Sequence, residues 1–364
     1  RLKSAAGFYR KLFTGHGASA RAEEAYFRCG LCLYQSGAYD SAIAVFSAFE
    51  KKFPQSSFAS PSAYWRAKSL LAKEKVDSAK AILARIGRAE PHEYYAHRAR
   101  YLLRLCDDTV NATVAIDTVV DDARALAWLD SLSAASRPSL SAADSVALRR
   151  GLALLAIGAT DAASWFLDPL ESNTAQHFPL HFRLALFYRD VGAVTRAAMT
   201  GRRFAWRLPL EARGAIPLSL YLLMYPTYFV ADIARESHLW NVDPCFVWAV
   251  IRQESVFNPK VVSPAGAIGL MQIIPATGKE IARSLKSPFS TDSLYVPSYN
   301  IRFGTWYLRS LLDEFSDNPA LAAASYNGGP INAKKWYLRN QSEDVDLFVE
   351  NIVFTETRNY VKKV

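Results

Sequence analysis

The chain of 364 residues has no long hydrophobic stretch. Its longest apolar run, LSLYLLMY at 218–225, falls far short of the ~18 residues that a membrane-spanning helix needs, which excludes such a span. Basic blocks are also missing. Lys and Arg total 43 against 34 Asp and Glu, a net charge of +9, yet no block exceeds two or three residues. That balance suits an anionic partner such as a cell-wall polymer or a phospholipid surface, and nucleic acid is not expected. Cysteine is scarce: Cys29, Cys32, Cys106 and Cys245. The pair Cys29–Cys32 has redox or zinc spacing, but no second pair and no βαβ context accompany it, so packing is the expected role. The six histidines are scattered. His177 and His181 are four apart, but Pro179 should interrupt a helix there and no third ligand is near, so no metal and no cofactor is expected. Disorder is excluded by 51% hydrophobic against 21% charged residues. The first residue is Arg1 and the last ones, NYVKKV, stop inside a helical pattern. Both features read as a trimmed piece of a longer precursor whose export signal would have gone with the trimming.

What the sequence does contain is helix, in repeats. AYFRCGLCLYQSGAYDSAIAVFSAF (25–49) aligns with AYWRAKSLLAKEKVDSAKAILARI (63–86), one residue shorter in the turn. Tyr26, Gly30, Ala42, Phe46 and Pro54 fall at the spacings of a tetratricopeptide-like helix pair. GATDAA (158–163) and GAVTRA (192–197) repeat a Gly-containing turn 34 residues apart. Such pairs cannot bury their apolar faces alone and are expected to stack into a superhelix, with 107–145 a degenerate stretch of the array. Pro209, Pro217 and Pro226 then interrupt regular helix. We therefore expect a helical-repeat domain at 1–206, a linker region at 207–229 and a second domain at 230–364. The second domain keeps helical stripes, as in NIRFGTWYLRSLLDEF (300–315), but separates them by Gly- and Pro-punctuated loops. It offers no strand-rich section beyond short extended pieces near GAIGLMQII (266–274).

Between Pro244 and Lys279 the chain holds a single carboxylate, Glu254. Asp243 and Pro244 supply a helix cap and first residue, and CFVWAVIRQE continues the helix. Glu254 follows Val250 by four and Ile251 by three, so it shares their apolar face. A carboxyl group there has its ionised form disfavoured and its pKa raised, which suits a general acid. A buried ion pair with an arginine is the competing structural role. Ser263 and Gln272 supply neutral hydrogen-bond partners nearby in sequence, and Gly266 and Gly269 would let backbone approach a ligand. SYNGG places Tyr326 and Asn327 at a helix C-terminus, and ETRNY (356–360) adds Glu356 and Tyr360.

RQES, SPAGAIGLMQIIP, SYNGG and FTETRNYV, in that order over about 110 residues, resemble the catalytic domain of the soluble lytic transglycosylases. The resemblance implies a mainly all-α protein: a tetratricopeptide-like superhelix followed by a goose-lysozyme-like α+β catalytic domain with few short strands and a truncated C-terminus. It makes Glu254 the catalytic acid/base. It assigns Ser263, Gly269, Met271, Gln272, Tyr326, Asn327, Glu356 and Tyr360 to substrate binding. Ser325 replaces the usual alanine before Tyr-Asn. Ile274 stands where many members have methionine, and Val353 where proline is common.

The implied reaction is cleavage of the β-1,4 bond between N-acetylmuramic acid and N-acetylglucosamine in peptidoglycan, without water, leaving 1,6-anhydro ends. The implied location is the bacterial periplasm or cell envelope. Protein partners on the repeats are compatible with this. Two alternatives stay open. One is a hydrolytic muramidase on the same fold, with Glu356 or Glu350 activating water. The other is a silent helical-repeat scaffold that binds cell-wall or peptide partners.

Overall fold

A computed structural model describes residues 1–16, 19, 21–89, 93–106, 120–132, 140–174, 177–340 and 344–364. These residues form twenty α-helices and two 3-10 segments. Extended structure among them is limited to antiparallel bridges pairing Ile268 with Val262 and with Ile273, the second inside the stretch 266–274 where short extended pieces are expected and the first reaching just before it. The protein is thus mainly all-α. Much of the stretch 107–145 expected to be degenerate repeat lies outside the described residues.

Two compact units are present, Arg1–Ile116 with Pro209–Ala215, and Asp117–Leu208 with Ile216–Val364. In the first, the expected repeats are antiparallel helix pairs. Ala22–Gln35 pairs with Tyr39–Lys52, and Ala59–Leu71 with Val76–Ala89. Gly30 is needed where the first pair crosses, because a Cβ there would sit 2.4 Å from the Phe46 ring. Gly37 turns the first pair at φ 74°, and in the shorter second turn Glu74 takes the left-handed conformation at φ 59°. Cys29 is fully buried and its thiol donates to the Ala6 carbonyl at 3.4 Å, a packing role.

The second unit opens with the helix Asp122–Leu132, followed by two more pairs, Ala142–Ala156 with Thr160–Thr174 and Phe178–Asp190 with Val194–Arg207. Each pair turns at a left-handed glycine, Gly158 and Gly192. One expectation needs correcting. Pro179 does not interrupt a helix but starts one, Phe178–Asp190, because the first turn has no internal acceptor for the N–H that proline lacks. His181 is buried within that helix, its Nδ1 3.4 Å from the Thr174 hydroxyl.

Nine helices follow in this unit: Leu218–Met224, Val230–Trp240, Pro244–Glu254, Pro275–Ser284, Pro297–Glu314, Pro319–Gly328, Pro330–Asn340, Val345–Asn351 and Thr355–Lys363. Five begin with proline, whose fixed φ presets a helical first turn. Asp243, Asn318 and Asp344 cap their helices through side-chain oxygens that accept from backbone N–H groups. The Pro297–Glu314 helix runs through the core. Its Ile301, Leu308, Leu311 and Leu312 are buried with Ile233, Val247, Val250 and Ile251. Each such side chain contributes roughly 1.5–3 kcal/mol by leaving water. The same burial fixes the rotation of Pro244–Glu254 about its axis, and so the side on which Glu254 emerges.

Candidate active site

Glu254 is the last residue of its helix. Val247, Val250 and Ile251 on its face are fully buried. Beyond Ser255 the chain turns sharply through two left-handed residues, Val256 at φ 49° and Phe257 at φ 61°. A β-branched residue is strained in that conformation, so the surroundings must enforce it. Phe257 is 1% exposed in the core and packs edge-on against Tyr228 at 5.4 Å. Its carbonyl accepts a hydrogen bond from Thr195 Oγ1 at 3.2 Å.

Desolvation is the main influence on the Glu254 carboxyl, and it pushes the pKa up from 4.5 to about 7. The negative charge of Glu356 pushes in the same direction, while the Tyr360 hydroxyl favours the ionised form. Tyr360 exerts this influence without meeting the geometry of a full hydrogen bond to any described residue. No basic side chain among the described residues pairs with Glu254. Arg252, two residues earlier, turns away: its Nε donates to the Met224 carbonyl at 3.0 Å, and its guanidinium lies 4.4 Å over the Tyr225 ring. The ion-pair role for Glu254 is thereby disfavoured.

The loop 261–274 is tied to itself. The Ala267 N–H donates to Ser263 Oγ at 3.1 Å. Gln272, left-handed at φ 48°, donates its amide NH2 to the carbonyls of Val261 and Gly269, at 3.1 and 2.9 Å. Only its side-chain oxygen is left for a ligand, as an acceptor. Two residues stand differently from the ligand-facing roles expected of them. Gly269, at φ 79°, is glycine because a Cβ would lie 2.3 Å from the Leu294 carbonyl and 2.5 Å from the Asn300 amide. Its close approach is to the protein itself. The Met271 side chain is fully buried and fills the space over Gly304, so the thioether belongs to the core. What Met271 offers the site is its carbonyl, which accepts from Tyr326 Oη at 2.7 Å.

Tyr326 and Asn327 end the Pro319–Gly328 helix. Burial, with the charge of Glu254 next, pushes the Tyr326 pKa up, so it remains a neutral donor held by Met271. Its ring stands 5.5 Å from Tyr307. Asn327 Oδ1 accepts from Thr357 Oγ1 at 2.7 Å, which joins this helix end to Thr355–Lys363. From that last helix Tyr360 faces Glu254, and Glu356 is exposed. Tyr326, Glu356 and Tyr360 therefore each lie within electrostatic reach of Glu254. Ser263 and Gln272 make no hydrogen bond to Glu254. Glu350 is buried and ion-paired with Lys362.

One supporting residue is absent from the sequence expectations. Asn300 is fully buried, accepts from Met271 N at 2.8 Å, and donates to the carbonyls of Ile268 and Leu294 at 3.0 and 2.8 Å. It fixes the loop that carries Gln272 and the Met271 carbonyl. The available signal was an amide at a position that the Pro297–Glu314 helix turns inward.

Residues 233–349 match the family described as Transglycosylase SLT domain, and residues 24–56 match a tetratricopeptide repeat. The chain is 41% identical over 164 residues to the soluble lytic murein transglycosylase of Salmonella typhimurium, across 44% of this chain and 25% of that one. It is 43% identical over 128 residues to the protein of the same description from Escherichia coli K12, across 34% and 20%. The chain thus spans a quarter or less of these relatives. Among solved structures, an inactive mutant of the lytic transglycosylase Slt from Pseudomonas aeruginosa superposes with a TM-score of 0.75 at 24% identity, covering all of this chain and 54% of that one. A 70-kDa soluble lytic transglycosylase in complex with bulgecin A gives 0.67 at 22%, covering 94% and 50%. At these identities the two structures establish the fold.

Proposed function

We propose that this protein, whose residues 233–349 match the transglycosylase SLT domain family, is a peptidoglycan lytic transglycosylase with Glu254 as its acid and base. The observation that carries the reading is a carboxyl group at the end of a buried helix face, with no basic partner among the described residues and a pKa near 7. Such a group holds its proton at neutral pH and can give it up. Cleavage starts with proton transfer from Glu254 to the oxygen of the β-1,4 bond, and the N-acetylglucosamine portion leaves. The C6 hydroxyl of the N-acetylmuramic acid attacks its own C1, and Glu254 takes back the hydroxyl proton. The carboxyl ends as it began, and the product carries a 1,6-anhydro ring. Intramolecular attack of this kind has an effective molarity of ~10⁵ M or more, so no second carboxylate is required. The acetamido group of the substrate can stabilise the developing positive charge, as in substrate-assisted glycosidases.

Tyr326, with its hydroxyl anchored on Met271, is assigned to the sugar beside Glu254. The Gln272 oxygen, Ser263 and Asn327 are assigned to sugar hydroxyls and the N-acetyl group, and Glu356 and Tyr360 to tuning the Glu254 proton. Residues 1–206 are assigned to a repeat array that would also suit protein partners, and 230–364 to catalysis. With this substrate the protein is assigned to the bacterial periplasm or cell envelope.

A hydrolytic muramidase is the second reading, because exposed Glu356 lies within electrostatic reach of Glu254; Glu350 suits that role less, being paired with Lys362. Mass spectrometry of digested sacculi distinguishes the two. Anhydro-muramic ends are expected, and reducing muramic acid in their place would overturn the transglycosylase.

A further inference from the structure

Arg252 sits one side of the helix away from Glu254, and its surroundings have no part in the proposed cleavage. Its Nε is occupied by the Met224 carbonyl at 3.0 Å, and its plane lies 4.4 Å over the Tyr225 ring, which stacks in turn on Tyr221 at 4.8 Å. These contacts fix the guanidinium and leave the edge formed by its two terminal nitrogens. Among the described residues no carboxylate meets that edge. A second arginine is close by. Gly201 lets the Val194–Arg207 helix press against the backbone of Leu223, where a Cβ would come within 2.0 Å of a carbonyl oxygen. The next residue, Arg202, has no carboxylate partner among the described residues either. Burial lowers the pKa of Arg252, and the charge of Arg202 lowers it further. Two guanidinium groups within reach of each other, one of them largely desolvated, repel unless an anion lies between them. The planar terminal edge of an arginine matches the two oxygens of a carboxylate.

We infer that Arg252 and Arg202 form a carboxylate-binding site behind the helix that carries Glu254, and that it takes a free carboxylate of a peptidoglycan stem peptide. The choice of stem peptide rests on the proposed function; the carboxylate chemistry does not. The reach is adequate. An extended peptide of five residues spans about 17 Å at ~3.4 Å per residue, against roughly 16–19 Å for the half-turn around a helix ~10–12 Å across. A peptide borne by a sugar at Glu254 can therefore pass around that helix to Arg252. Tyr225 and Tyr221 would flank it.

The test has a binding arm and a turnover arm. In the first, a synthetic stem tetrapeptide and the same peptide with its carboxylates amidated are titrated calorimetrically into the intact protein and into Arg202→Gln and Arg252→Lys. The acid form should bind, and Arg202→Gln should weaken it about tenfold, the scale of one charge-assisted hydrogen bond. Arg252→Lys, which keeps the charge and removes the planar edge, should weaken it as well. In the second arm, Arg202→Gln should raise KM on peptide-bearing glycan with kcat unchanged, and should leave turnover of peptide-stripped glycan as it was. Equal binding of acid and amide forms, undiminished binding by Arg202→Gln, or an equal effect on stripped glycan would overturn the site. Tight binding of the acid form by a protein that releases no anhydro ends would instead leave the site standing and overturn the cleavage reading.

Discussion

A carboxyl group with a pKa of about 7 makes two predictions at the scale of one residue. The first concerns stability. The unfolded chain releases this proton near 4.5 and the folded one near 7, so between these values the folded state holds more protons. Stability contributed by Glu254 is full below about 4.5 and is lost as pH rises through about 7. Glu254→Gln has no proton to lose. It should therefore gain on the wild type across that window, by on the order of 3 kcal/mol at most, seen as a diverging Tm. Cleavage should be abolished in the same variant, and activity that survives there would remove Glu254 from the chemistry. The second concerns rate. Only protonated Glu254 can start the reaction, so kcat/KM should fall as pH rises through about 7. Tyr360 favours the ionised carboxyl, so Tyr360→Phe should raise the Glu254 pKa and move that alkaline limb to higher pH. A limb that stays put would mean that Tyr360 acts by packing alone. The isolation of Glu254 on an apolar stripe was legible in the sequence because helical spacing alone sets it. The flanking left-handed Val256 and Phe257 were not, because local preference opposes that conformation and only the folded core imposes it.

At the scale of elements, a buried amide holds the loop that carries Gln272. Asn300→Ala leaves one N–H and two carbonyls without their partner, a loss of about 3 kcal/mol. Denaturant unfolding should show that loss, and activity per folded molecule should fall because the Met271 carbonyl that anchors Tyr326 becomes mobile. An unchanged midpoint would mean that the loop holds itself. A second link ties the array helix Val194–Arg207 to the turn after Glu254 through Thr195 Oγ1. Thr195→Val should cost about 1 kcal/mol. Helix starts were readable here because proline and capping residues act within a single turn, as at Asp243–Pro244 and Asn318–Pro319. Gly269 and Met271 were harder. A glycine demanded by a distant carbonyl looks in sequence like one demanded by a ligand, and a methionine beside a site residue can face either way.

For the whole molecule, composition and repeats indicated helical pairs well, since three of the four pairs are closed by a glycine turn and the other by left-handed Glu74. Gly158 and Gly192 stand in the expected turns, each in the left-handed conformation. The compact units nevertheless group the helices from Asp122 to Arg207 with the C-terminal region, because packing across sequence distance has no local signature. Net charge is the property that only the full chain carries, and it bears on the proposed substrate. An excess of nine positive charges facing a polymer rich in peptide carboxylates should concentrate the protein on that polymer. Exposed charges are screened over ~10 Å at 0.1 M salt and ~3 Å at 1 M, so affinity for intact sacculi should fall steeply across that range. Sacculi with amidated carboxylates should bind more weakly and with a flatter salt dependence. The two effects separate, because general attraction needs many charges and the paired arginines need one carboxylate. Cosedimentation at several salt concentrations measures the slope. If amidation lowers affinity equally at low and high salt, local recognition outweighs the overall field; if salt and amidation act together, the field of the whole molecule draws the protein to its substrate.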